Sequence, residues 1–199
     1  MVEAAVELAR EAGPPGVVLR EVARRVGVSA AAAYRHFASR EELLAEVAAA
    51  ARDGLDAAMA EQLQVRAAAA PPVTPEQAAA AGLIALGHGY VAFALAEPGL
   101  FRGAFLGGQP TAGMQRWVPS ASMVSSGPYA RLLAALEAME LAGVLRADLD
   151  VHTAALDVWS TVHGLAELLL GPQRFLAADD RDRSVEQVLD FILRGVSTG

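Results

Sequence analysis

Between residues 29 and 40 the chain carries Ser29, Tyr34, Arg35, His36 and Arg40, all able to donate hydrogen bonds, with Arg20 shortly upstream. A hydroxyl, a phenol, an imidazole and guanidinium forks are the groups that meet phosphate oxygens, and a guanidinium also fits the O6/N7 edge of guanine. Four successive alanines, including Ala30 and Ala32, stand among them and offer only methyl groups, which can pack on the methyl of thymine. Direct reading of bases therefore falls mainly to Arg35. From residue 17 to 40, five arginines oppose one glutamate, Glu21, a local charge of +4. The whole chain has Lys+Arg 16 against Asp+Glu 23 and a net charge of -7, which by itself argues against a polyanionic partner. Its distribution removes that objection, because the acidity lies in residues 54–199. Every basic residue is arginine, which suits phosphate binding; codon usage in a GC-rich genome would give the same bias.

A second group of side chains could line a small-molecule pocket. Phe93, Phe101, Phe105, Trp117, Met123, Tyr129 and Trp159 are bulky and apolar, with His88 and His163 as polar groups to fix an orientation. The same aromatics also suit an ordinary core, with His163 bonded to a neighbouring helix. A hydrolase or lyase built on either histidine and a carboxylate is the catalytic alternative. There is no Gly-x-Ser-x-Gly, no His-Glu-x-x-His and no glycine-rich phosphate loop to support it. With Cys 0, thiolate metal sites and cysteine nucleophiles are excluded. We expect no enzyme, no metal and no cofactor.

These groups must be positioned by helices, since apolar residues recur at helical spacings and alternating β-branched runs are absent. The fold class predicted is all-α, with about nine helices. The first ends at Gly13-Pro14-Pro15-Gly16; a second covers 19–26, where Leu19, Val22, Ala23 and Val26 form the apolar stripe; Gly27 stops it. Ser29 is placed to cap a third helix ending near Phe37, and Ser39 with Glu42 forms a capping box for a fourth running to about residue 70. Further helices are predicted at 74–97, 98–106, 128–142, 149–170 and 184–196, with a loop or frayed end over 107–127. Residues 78–96 are uncharged and long enough to span a bilayer, but their alanine, glycine and His88 favour a helix buried in a helical domain. No targeting segment is visible, so a cytoplasmic protein without membrane contact is expected. Two short helices joined by a glycine turn, the second polar-capped, match the helix-turn-helix pattern, whose second helix enters the major groove of DNA. A helical adaptor that keeps this hairpin without reading DNA is the alternative that the alanine run leaves open.

The run Leu19-Arg20-Glu21-Val22-Ala23-Arg24-Arg25-Val26-Gly27-Val28-Ser29, then Ala33-Tyr34-Arg35-His36-Phe37 and Ser39-Arg40-Glu41-Glu42-Leu43-Leu44, resembles the DNA-binding domain of the TetR family of bacterial transcriptional regulators. Trp159-Ser160-Thr161-Val162-His163-Gly164-Leu165 is similar to a Trp-x-x-x-His-Gly element of one class of TetR-type ligand-binding domains, and Glu97-Pro98-Gly99-Leu100-Phe101 to the junction before its sixth helix. The resemblance implies a three-helix DNA-binding domain over 1–46 and a ligand-binding and dimerisation domain over 47–199. It places Ser29 near a phosphate, Tyr34 and His36 against backbone or base edges, Arg40 on phosphate and Phe37 in the small domain's core. It further implies a repressor that binds a palindromic double-stranded DNA operator as a homodimer, paired through the helices at 149–170 and 184–196. A small hydrophobic or aromatic ligand would release it. On those helices the apolar stripes are Leu156, Trp159, Val162, His163, Ala166 and Leu170, and Val185, Val188, Leu189 and Ile192. Two departures stand out: Val18 replaces the usual hydroxyl cap, and the chain begins inside the first helix without a basic arm, which leaves a truncated start open.

Overall fold

The computed structural model describes residues 1–105, 127–171 and 180–198. Among them are nine α-helices: α1 (Val2–Ala12), α2 (Leu19–Arg25), α3 (Ala30–His36), α4 (Arg40–Ala69), α5 (Pro75–Ala96), α6 (Pro98–Ala104), α7 (Gly127–Leu141), α8 (Val151–Leu170) and α9 (Arg181–Val196). A 3-10 turn, Pro14–Gly16, follows α1. The all-α expectation holds, and the helix ends lie close to the predicted ones. The glycine and serine signals act as their chemistry requires. Gly27 adopts φ 74 between α2 and α3, a left-handed conformation that a side chain would strain. Ser29 Oγ accepts from the Ala32 amide at 3.1 Å. Ser39 Oγ accepts from the Glu42 amide at 3.2 Å, but the Glu42 carboxylate reaches past it to the Ala38 amide at 2.6 Å. The box therefore closes one residue further upstream than the sequence pattern suggests. Val18 begins α2 without a side-chain cap.

The chain divides into two compact units. Met1–Gly54 forms the first together with the described residues of Ala96–Val118; Leu55–Leu95 and the described residues of Pro119–Gly199 form the second. In the first, α6 returns to α1. At Gly99 an added Cβ would lie 2.1 Å from the Ala9 carbonyl oxygen, so only glycine permits this approach. Arg10 Nε donates to both carboxylate oxygens of Glu97, at 3.2 and 3.0 Å, and Arg52 Nη1 donates to the Ala104 carbonyl at 2.9 Å. Leu19, Val22, Ala33, Leu43, Val47 and Phe101 are buried in this unit.

The second unit is a bundle of the distal part of α4 with α5, α7, α8 and α9. Its α5 is long and apolar enough to cross a membrane by length and composition; its Leu83, Leu86, Tyr90 and Phe93 are buried within the unit. Gly89 lets α5 approach α4, since an added Cβ would stand 2.5 Å from the Met59 Cα. Arg131 on α7 grips Asp56 on α4 through two parallel bonds, at 2.7 and 2.6 Å, the geometry in which a guanidinium matches a carboxylate. Asp150 caps α8, accepting from the amides of His152 and Thr153 at 3.0 Å each. After α9 the chain closes on the α7–α8 connection through an isolated antiparallel bridge, Leu145 with Ser197.

Candidate nucleic-acid interface and ligand cavity

Helix α3 is anchored by Ala33, whose side chain is fully buried. That register turns the next three side chains outward. Tyr34 is 58% exposed, and Arg35 and His36 are exposed beside it. Tyr34 is thus not a core aromatic. Among the alanines, Ala30 and Ala32 are half-buried while Ala31 is exposed, so the outward methyl is that of Ala31. Phe37, expected in the core, is only half-buried.

The local +4 is less available than its sum suggests. Arg24 donates to Glu21 at 2.9 Å through Nε, and Arg25 donates to Glu11 at 2.9 and 2.7 Å. These bonds hold the Glu21 and Glu11 carboxyls below the usual carboxylate range. Arg40 turns inward: Nε donates to the Val17 carbonyl at 2.7 Å and Nη2 to the Pro14 carbonyl at 2.8 Å. It ties the start of α4 to the turn before α2. Of the five arginines, Arg20 and Arg35 have neither a carboxylate nor a carbonyl partner among the described residues, and both are exposed.

In the second unit Tyr90, Trp159, Tyr129 and His163 form an aromatic cluster. Tyr90 is 1% exposed; its hydroxyl lies 2.8 Å from His163 Nδ1. Its ring meets Trp159 edge-on with centroids 5.3 Å apart, and Tyr129 meets Trp159 likewise at 5.5 Å. Burial raises the Tyr90 phenol far above its ordinary value and lowers His163, so both are neutral in the fold near neutral pH. Tyr90 and Trp159, with Met59, Leu83, Leu132 and Val162, line an apolar cavity of about 20 Å³, room for about one water. His88 is not part of this cluster. It faces a separate recess of about 320 Å³ with Arg66 and Glu186.

The family described as bacterial regulatory proteins, tetR family, matches residues 1–47, and the tetracyclin repressor-like C-terminal domain matches residues 83–192. The chain belongs to the TetR family. TetR members are transcriptional regulators with a DNA-binding N-terminal domain, and this chain has that fold. Solved structures agree. A protein of unknown function from Rhodococcus sp. RHA1 is 27% identical at a TM-score of 0.75, with 99% of this chain and 93% of that one covered. Two further structures are likenesses of fold. A TetR family transcriptional regulator from Thermus thermophilus has 24% identity, a TM-score of 0.55 and coverage of 97% and 96%. A tetR family regulatory protein from Rhodococcus RHA1 has 18% identity, a TM-score of 0.59 and coverage of 100% and 95%. No curated protein matches the chain.

The expected ligand residues divide between the two units. Phe101 and Phe105 pack on each other, centroids 5.8 Å apart, in the first unit, while Tyr129, Trp159 and His163 belong to the second. The reason is that α6 joins α1. Phe93 is buried but does not line the cavity. Trp117 and Met123 lie outside the described residues. Tyr90, which aromatic content alone did not single out, is central; Leu83, Leu86 and Tyr90 at i, i+3 and i+7 carried the signal. The expected pairing stripes also change. Trp159, Val162, Ala166, Val185, Leu189 and Ile192 are buried in the chain's own bundle. The exposed apolar residues of α8 and α9 are Leu156 at 44%, Leu168 at 58% and Phe191 at 66%.

Proposed function

We propose that this TetR chain is a ligand-responsive repressor that grips a palindromic operator as a homodimer. The observation that carries this reading is the outward face of α3, where Tyr34, Arg35 and His36 stand exposed beside the Ala31 methyl. In our assignment Arg35 reads guanine, and the alanine methyls, Ala31 foremost with Ala30 and Ala32 at its margins, pack against thymine. Ser29, Tyr34, His36 and Arg20 meet phosphate. Arg40 acts chiefly by fixing the start of α4, with Nη1 left to face the backbone. The homodimer forms on the outer row of α8 and α9, around Leu156, Leu168 and Phe191, where Gly164 and Gly195 leave open space for close approach. Two reading heads per particle offset the small number of base contacts each one makes. Such a protein works in the cytoplasm.

The effector reading rests on the cluster of Tyr90, Tyr129, Trp159 and His163. A cavity of about 20 Å³ cannot hold a drug-sized molecule. A hydrophobic or aromatic effector would therefore select a repacked, expanded state, and its differential affinity for that state sets how far it can release DNA. Footprinting of the purified chain over the DNA flanking its own gene tests the core of this reading. A protected inverted repeat is expected at low salt; uniform, sequence-independent protection or none refutes it.

A further inference from the structure

The recess beside His88 has the volume that the aromatic cavity lacks, about 320 Å³ against about 20 Å³. Three helices of the second unit build it. Arg66 comes from the last turn of α4, His88 and the apolar wall of Val91, Ala92 and Leu95 from α5, and Val185, Glu186 and Asp182 from α9. Glu186 Oε1 lies 3.2 Å from His88 Nε2 and 3.6 Å from Arg66 Nη2. Neither contact is a well-aligned hydrogen bond. Arg66 Nε and His88 Nε2 are both shielded from solvent and neither makes an aligned hydrogen bond, Glu186 standing beside His88 as a strained acceptor. Buried donors without acceptors are rare in native folds, because each has given up its water for nothing. The Glu186 side chain is 59% exposed and can swing away.

We propose that this recess is a binding site for a small organic acid: the ligand's carboxylate accepts from Arg66 Nε and His88 Nε2, and its apolar chain lies along Val91, Ala92, Leu95 and Val185. A primary amine of the same shape leaves both donors unpaired and meets Arg66 with like charge, so it gains nothing from displacing Glu186, whereas the acid does. Glu186 is the internal occupant that the acid displaces. The ionisable groups facing the site are Arg66 from α4, His88 from α5 and Asp182 and Glu186 from α9. Burial first, then Arg66, lowers the His88 pKa, so the empty site holds a neutral imidazole near neutral pH. An anion bound beside it favours the protonated form, and imidazolium donates from Nε2 regardless of the tautomer it had before. Acid binding is thus coupled to proton uptake and strengthens as pH falls. The proposal is independent of DNA binding and of whatever molecule opens the Trp159 cavity.

Isothermal titration of the full chain with hexanoate, hexylammonium and hexanol tests it. Hexanoate is expected to bind, severalfold more tightly near pH 6 than near pH 7.5, with proton uptake read from buffers of different ionisation enthalpy. Arg66→Met should abolish binding, Glu186→Gln should tighten it severalfold, and His88→Gln should remove the proton uptake. Circular dichroism of each variant checks that the fold is kept, and Glu186→Gln, a surface change, serves where another variant does not fold. Hexylammonium or hexanol binding as well as hexanoate overturns the proposal, as does hexanoate binding that is absent, weakened by Glu186→Gln, or indifferent to Arg66→Met. Indifference to Arg66→Met would put the acid elsewhere in the bundle and leave the repressor reading untouched.

Discussion

The two units put their charged side chains to different uses. In the first, three of the five arginines near the reading helix are engaged by the protein itself, Arg24 and Arg25 by carboxylates and Arg40 by carbonyls, while the exposed face is left to Tyr34, Arg35, His36 and Arg20. In the second, Tyr90, Tyr129 and Trp159 are buried and ion pairs sit at the margins, as Asp56–Arg131 does. Formal charge along a segment is therefore a poor measure of charge offered to a partner. What counts is the set of cations that no neighbour has claimed. The contrast also separates an exposed polar face on α3 from a closed aromatic cluster in the bundle.

The largest effect that would break this contrast is on stability. Trp159→Ala should cost about 3–5 kcal/mol, because it removes the ring on which both Tyr90 and Tyr129 rest. Tyr34→Ala should leave the unfolding midpoint within about 0.5 kcal/mol and weaken DNA binding instead. Denaturant titration of both variants decides it; an equal stability loss in Tyr34→Ala would make that side chain part of the fold.

The next effect is on DNA. Arg35→Ala should cost about 1–3 kcal/mol and change the preferred base, whereas Arg20→Ala should weaken all sequences alike and lower the salt slope by about one. Arg24→Ala should change that slope less than Arg20→Ala, since its charge is already opposed by Glu21. Binding measured across a salt series checks all three. A larger slope change for Arg24 would mean that DNA displaces Glu21.

The smallest effect is pH dependence of the bundle. Burial is the leading cause that lowers both His88 and His163 below their ordinary value near 6.5. As pH falls through that value the unfolded chain takes up protons first. Stability should decline from about pH 6.5 downward and level off below the folded-state values. Unfolding midpoints measured against pH should show a shallower decline in His163→Asn and in His88→Gln than in the parent chain.

The helices were legible because their ends are local. Gly13, Gly27, Ser29 and Ser39 act on backbone groups a few residues away, and sequence order carries that information. The partners of Arg25 and Arg40 were not legible, since Glu11, Val17 and Pro14 lie 14 to 26 residues earlier and are brought close only by tertiary packing. Periodicity marked the faces of α8 and α9 but not the neighbour each face would meet. The strongest stripe, with Trp159 and Leu189, turned inward, and the apolar residues left exposed were those outside it. Phe101 and Phe105 show the same limit. Adjacency to the α5 sequence suggested the ligand domain, whereas Gly99 brings them to α1.

That close approach at Gly99 has a consequence for biosynthesis. The first unit is discontinuous: its α6 surface is translated only after the whole of α4 and α5 has been made. At about 5–20 residues per second, the 41 intervening residues, Leu55–Leu95, leave Ala5, Leu8 and Ala9 without their final cover for about 2–8 seconds. A nascent chain halted before Glu97 has every residue of the reading helix and still lacks a finished reading head. Completion of the DNA-binding unit is thereby withheld until synthesis has passed through the α5 sequence of the second unit.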